Sequence, residues 1–93
     1  MVFKFLSNEN KGESNSLFVL NRCKDLLQFI VDSEQYHTTI YPQPCEFRGE
    51  SYVIRSLQYR FDETINSINY YAQMEIRNYI INVELNKNLN ETL

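Results

Sequence analysis

The sequence predicts an α+β fold: one amphipathic helix packed on one face of a small antiparallel β-sheet, a meander of three to four strands with room for a short N-terminal strand. Three observations lead there. A helical apolar period fills the first third of the chain. Alternating apolar residues fill the last third, and their phase slips once. The cross-strand pairs implied by that slip agree with those of the preceding segment.

The helix is the most regular element. Val19, Leu20, Cys23, Leu26, Leu27, Ile30 and Val31 form one broad stripe, with Asn21, Lys24, Asp25, Gln28 and Asp32 opposite. The spacing predicts a helix over about 16–33, with Ser14 or Ser16 as N-cap. Phe18 and Phe29 lie off the stripe but in line with each other, almost three turns apart, beside Arg22. They are a secondary candidate for a partner surface. Upstream, Val2–Leu6 reads as a short strand or apolar arm, and 8–15 as a polar loop.

Strand signals follow. Thr38–Tyr41 favours β structure but meets Pro42 and Pro44, which donate no ladder hydrogen bond, so this region reads as an edge strand or an irregular extended segment. A turn is expected at Arg48-Gly49-Glu50. From Ser51 to Phe61 the alternation predicts Val53, Leu57, Tyr59 and Phe61 inward, and Tyr52 and Ile54 outward. Between Ile68 and Leu85 the phase slips at Arg77-Asn78, the signature of a two-residue turn that pairs Ile76 with Tyr79 and Tyr70 with Leu85. With 63–66 as a loop, Phe61 faces Ile68, Leu57 faces Ala72 and Val53 faces Ile76. A single helix over 62–86 also satisfies the spacing, but it would strand Tyr70, Met74, Ile81 and Leu85 on its opposite face. The density of Ile, Tyr and Val favours strands. Residues 87–93 read as a frayed tail.

Composition bounds the function. At 93 residues with 43% hydrophobic and 23% charged residues, the chain has the make-up of one folded domain spanning 1–93. A net charge of −3 with interspersed signs gives no basic footprint for nucleic acid. The apolar N-terminal run is too short for a signal peptide core or a membrane span, so a cytoplasmic location with reduced Cys23 and Cys45 is expected. The abundance of Asn, Ile and Tyr suggests an AT-rich genome, such as that of a phage or mobile element.

Chemistry is scarce. His37 is the only histidine, and Cys23 and Cys45 are the only thiols, too few for a structural zinc site. Gly12 and Gly49 are far apart, so no phosphate-cradling loop exists in standard form. No cofactor, metal or catalytic residue is therefore expected. The function expected is non-enzymatic: a protein-binding module acting by surface occupation or self-association, such as a mobile-element inhibitor of a host defence protein. The outer sheet face supplies the candidate interface, Tyr52, Ile54, Tyr71, Arg77 and Ile80, because aromatic, aliphatic and arginine residues together typify protein interfaces. Two alternatives remain open, single-stranded nucleic acid stacked on Tyr52 and Tyr71 with Arg60 and Arg77 at the phosphates, and a small enzyme with an unfamiliar site.

Overall fold

The computed structural model describes residues 13–91. A helix, α1 (Glu13–Ser33), is followed by a 3-10 turn (Gln35–His37) and four strands: β1 (Gln43–Phe47), β2 (Glu50–Asp62), β3 (Ser67–Ile76) and β4 (Tyr79–Asn88). The strands form an open antiparallel sheet in the order β1-β2-β3-β4, and α1 packs on one face, mainly over β4. This is the expected α+β meander. Val2–Leu6 lies outside the described residues. Residues 13–15 belong to the helix rather than to the loop expected over 8–15, and Ser14 and Ser16 lie inside its first turns rather than at an N-cap.

The last hairpin holds the predicted register throughout, from Ile76 opposite Tyr79 to Tyr70 opposite Leu85. Arg77 and Asn78 both take positive φ (51° and 71°), the turn that matches the strands' right-handed twist. The first hairpin turns in the same way at Arg48 and Gly49 (φ 52° and 81°), with Phe47 opposite Glu50. In β1, Cys45 faces Tyr52 and Pro44 faces Val53, so the donor missing at Pro44 falls on the open side of the strand. Proline costs that ladder nothing and blunts the edge. Thr38–Tyr41 is irregular, the second of the two outcomes expected for it.

The sequence reading fails at one point in β2. The register shifts between Ile54 and Ser56, leaving Arg55 as an extra residue, so Ile54 lies opposite Met74 and Val53 opposite Glu75. One bulged residue inverts the alternation. Tyr52 and Ile54 therefore point toward the helix before the bulge, as Leu57, Tyr59 and Phe61 do after it, and Val53 points away. Tyr52 and Ile54 are 2% and 3% exposed. Their expected place on the outer face is corrected, and so is the pair Val53–Ile76.

The core lies between α1 and the inner side of the sheet. Val19, Cys23, Leu26, Leu27 and Val31 meet Tyr70, Met74, Ile76, Ile81, Val83 and Leu85. Removing each such side chain from water contributes roughly 1.5–3 kcal/mol before entropy is counted. At the far end Tyr36 caps the core, its hydroxyl 2.9 Å from that of Tyr70 and its ring edge-on to those of Tyr59 and Tyr70. Residues 87–91 are not a frayed tail. β4 runs to Asn88, a 3-10 turn covers Leu89–Glu91, the Leu89 N–H donates to the Asn66 carbonyl, and the Asn66 amide donates to Asn90 Oδ1 at 2.8 Å.

Candidate functional site

The bulge divides the proposed interface residues between two environments. Tyr71 and Ile80 stand on the outer face at 36% and 38% exposure. Arg77 sits in the β3–β4 turn and forms an ion pair with Glu50 of β2. Tyr52 and Ile54 are inside. Arg60 lies opposite Asn69, so it is roughly 25 Å along the sheet from Arg77. The four-residue stacking and phosphate arrangement expected for single-stranded nucleic acid is not assembled.

The outer face also has a different chemistry from the one anticipated. Gln73 Nε2 donates to Asn82 Oδ1 at 3.4 Å, and Asn86 Nδ2 donates to Asn69 Oδ1 at 2.7 Å and to Ser67 Oγ at 3.1 Å. Arg55, displaced by the bulge, donates to Glu75 Oε1 at 2.8 Å. Cross-strand amides and the Arg55–Glu75 ion pair cover much of a surface where aromatic and aliphatic side chains with arginine were expected.

The larger apolar exposure lies on the flank of α1 facing β1. Phe18, Arg22, Asp25 and Phe29 follow one another at three- and four-residue steps, which places them in one line along the helix. Arg22 Cζ sits 5.0 Å from the Phe18 ring centre. Asp25 accepts a 2.9 Å hydrogen bond from Arg48 in the first hairpin turn. Phe29 meets Phe47 at a ring separation of 5.6 Å, and Arg48 Cζ lies 4.8 Å from the Phe47 ring centre. Phe29 is nevertheless 59% exposed.

Beside it a groove of about 470 Å³ opens between the C-terminal half of α1, the segment after it and the start of β1. Phe29, Ile30, Tyr36, Ile40, Pro44 and Cys45 are among its lining residues, and none of the described lining residues is charged. Ile40 projects at 83% exposure, and among the described residues Thr38–Tyr41 pairs with no strand. The composition points to apolar contact.

Among the described residues, the shifted thiols show no activated nucleophile. Burial, reinforced by Glu50, pushes the Cys23 thiol up to about 12, and burial also raises Cys45. A thiolate is the reactive form, so both residues are held in their unreactive state near neutrality. His37 approaches neither of them: its Nδ1 lies 3.5 Å from the Tyr59 hydroxyl and its ring packs on Tyr36. Desolvation raises Tyr41, Tyr52 and Tyr70 as well, with the Tyr36 hydrogen bond adding to the effect at Tyr70. No group of acidic, histidine and cysteine residues suited to a metal ion occurs among the described residues. No helix among them is long and apolar enough to cross a membrane.

Phe18 and Phe29 were legible as an aligned pair, whereas Ile40, Phe47 and the groove were not. Their signal is tertiary, since β1 must be seated beside α1 before the groove exists. Comparison with protein-family models, curated proteins and solved structures gives no match.

Proposed function

We propose that the protein is a binding module that occupies a surface of a partner protein through the α1 flank and the groove beside β1. The observation that carries this reading is the exposure of Phe29 and Ile40 on the rim of an uncharged groove. Phe18, Phe29 and Phe47, with Arg22 and Arg48 over two of the rings, have the aromatic and arginine character of interface centres. The matching partner presents apolar side chains that seat between Phe29 and Ile40, surrounded by polar groups that reach Arg22 and Arg48.

Affinity capture from the source cells tests this reading, with wild type and the Phe29→Ser/Ile40→Ser double variant compared side by side. Both residues are more than half exposed, so the variant keeps its fold, which circular dichroism verifies. A specific partner retained by wild type and lost by the double variant is the expected result. Equal capture by both proteins removes this surface from consideration.

A further inference from the structure

We infer that the corner where α1 crosses the start of β2 is a binding site for a single carboxylate, held by Arg22 and Tyr52. Tyr52 points inward from β2 with 2% of its surface exposed, and its hydroxyl has no hydrogen-bond partner among the described residues. Arg22 Nη1, on the α1 flank, is also buried and also without a partner. The two groups lie close enough for the Arg22 charge to act on the Tyr52 hydroxyl. A buried polar atom left unpaired costs about 1–3 kcal/mol, and native folds carry few of them. Two in one corner, on different elements, mark a place that calls for an acceptor.

Charge selects the class of ligand. A guanidinium only donates, so whatever satisfies Arg22 must accept. The neighbouring carboxylates are engaged: Asp25, one turn along α1, accepts from Arg48, and Glu50, at the start of β2, accepts from Arg77. Arg22, Arg77 and Glu50 are the charged groups that act on the Tyr52 hydroxyl, Cys23 beside them being neutral, and together they leave the corner one positive charge in excess. A carboxylate balances that charge and brings two oxygens, one for Nη1 and one for the hydroxyl, in charge-assisted hydrogen bonds. A dianion would set its second charge against Glu50. The Phe18 ring, 5.0 Å from Arg22 Cζ and 49% exposed, places the site just beneath the surface. Arg22 belongs to the flank assigned above to a partner protein, so one source of the carboxylate, which rests on that reading, is an acidic side chain of the partner; the other is a free carboxylate.

Chemical shifts of the Arg22 side-chain N–H and the Tyr52 amide, recorded in the whole protein while sodium acetate is added at constant ionic strength, test the site. Sodium sulfate is the dianionic comparison, and a leucine-aspartate-leucine peptide blocked at both ends presents the carboxylate as a side chain. Acetate is expected to shift both residues in a saturable way and to bind more tightly than sulfate. Tyr52→Phe and Arg22→Gln should each weaken acetate by about tenfold or more, the size of one hydrogen bond to a charged group. Tyr52→Phe keeps the ring in the core, so weaker binding in a fold of undiminished stability separates a ligating hydroxyl from a packing role. Tighter binding of the peptide than of acetate assigns the carboxylate to a partner side chain, and the reverse assigns it to a free carboxylate. Neither measurement involves Phe29 or Ile40, so failure of this site and failure of the groove are read separately. The proposal is overturned if acetate gives no saturable shifts, if the shifts map elsewhere or survive both substitutions, or if sulfate binds more tightly than acetate.

Discussion

Replacing Ile54 by serine separates the two possible faces of β2. Were Ile54 on the outer face, the substitution would cost a few tenths of a kcal/mol, as exposed positions usually do. In the structure it is 3% exposed and lies opposite Met74, itself fully buried. Truncating such a residue costs 2–5 kcal/mol in typical cores, and a serine hydroxyl without a partner adds to the loss. Ile54 also borders the groove, so water can enter part of the vacated space. That places the expected loss at about 3 kcal/mol, or roughly 12–24 °C in melting temperature for a domain of this size. Ile80→Ser, on the outer face, should cost less than about 1 kcal/mol. Thermal and urea unfolding followed by circular dichroism measure both. Equal, small losses would refute the bulge and return Ile54 to the outer face.

Other consequences follow from individual residues. The Tyr52 hydroxyl is buried without a hydrogen-bond partner among the described residues, so Tyr52→Phe should leave stability unchanged or raise it by about 1 kcal/mol in denaturant titration. Tyr36→Phe removes the hydroxyl facing Tyr70 and should cost about 1–2 kcal/mol by the same measurement. Gly49 has φ +81° with open space around its Cβ position, so Gly49→Ala should lose about 1 kcal/mol through backbone strain alone. Cys23 stays neutral in the fold while the unfolded chain releases its proton. Its contribution is therefore complete below pH 9.0 and is lost as pH rises toward about 12, by at most about 1.4 kcal/mol per unit. Tyr52 and Tyr70 add to the decline above pH 10.0. Unfolding measured from pH 8 to 11 should show that decline, and Cys23→Ala should flatten its portion between pH 9 and 10.

The fold was legible where local chemistry left one solution. The slip at Arg77-Asn78 and the stripe from Val19 to Val31 were both legible because polar residues fill most positions where apolar ones would contradict the pattern, with Tyr71 and Ile80 on the hairpin and Phe18 and Phe29 on the helix as exceptions. β2 carries a similar slip, with Tyr52 and Ile54 in one phase and Leu57, Tyr59 and Phe61 in the other. Val53 concealed it, since an apolar residue at that position fits either phase and permits unbroken alternation. A slip between strands becomes a turn, whereas a slip within a strand becomes a bulge, and here the pairing of β2 with both neighbours decided between them. The candidate site inherited the error, so two of its five outer-face residues proved to be core. The groove depends on β1 lying beside α1, a long-range arrangement without a local signature.

Oxidative footprinting of the captured complex tests the central claim most directly, because it reports side-chain exposure on both surfaces at once. The account predicts that labelling at Phe29, Ile40 and Phe47 falls on complex formation while Tyr71 and Ile80 remain as reactive as in the free protein. Protection of Tyr71 and Ile80 with Phe29 and Ile40 unchanged would contradict it.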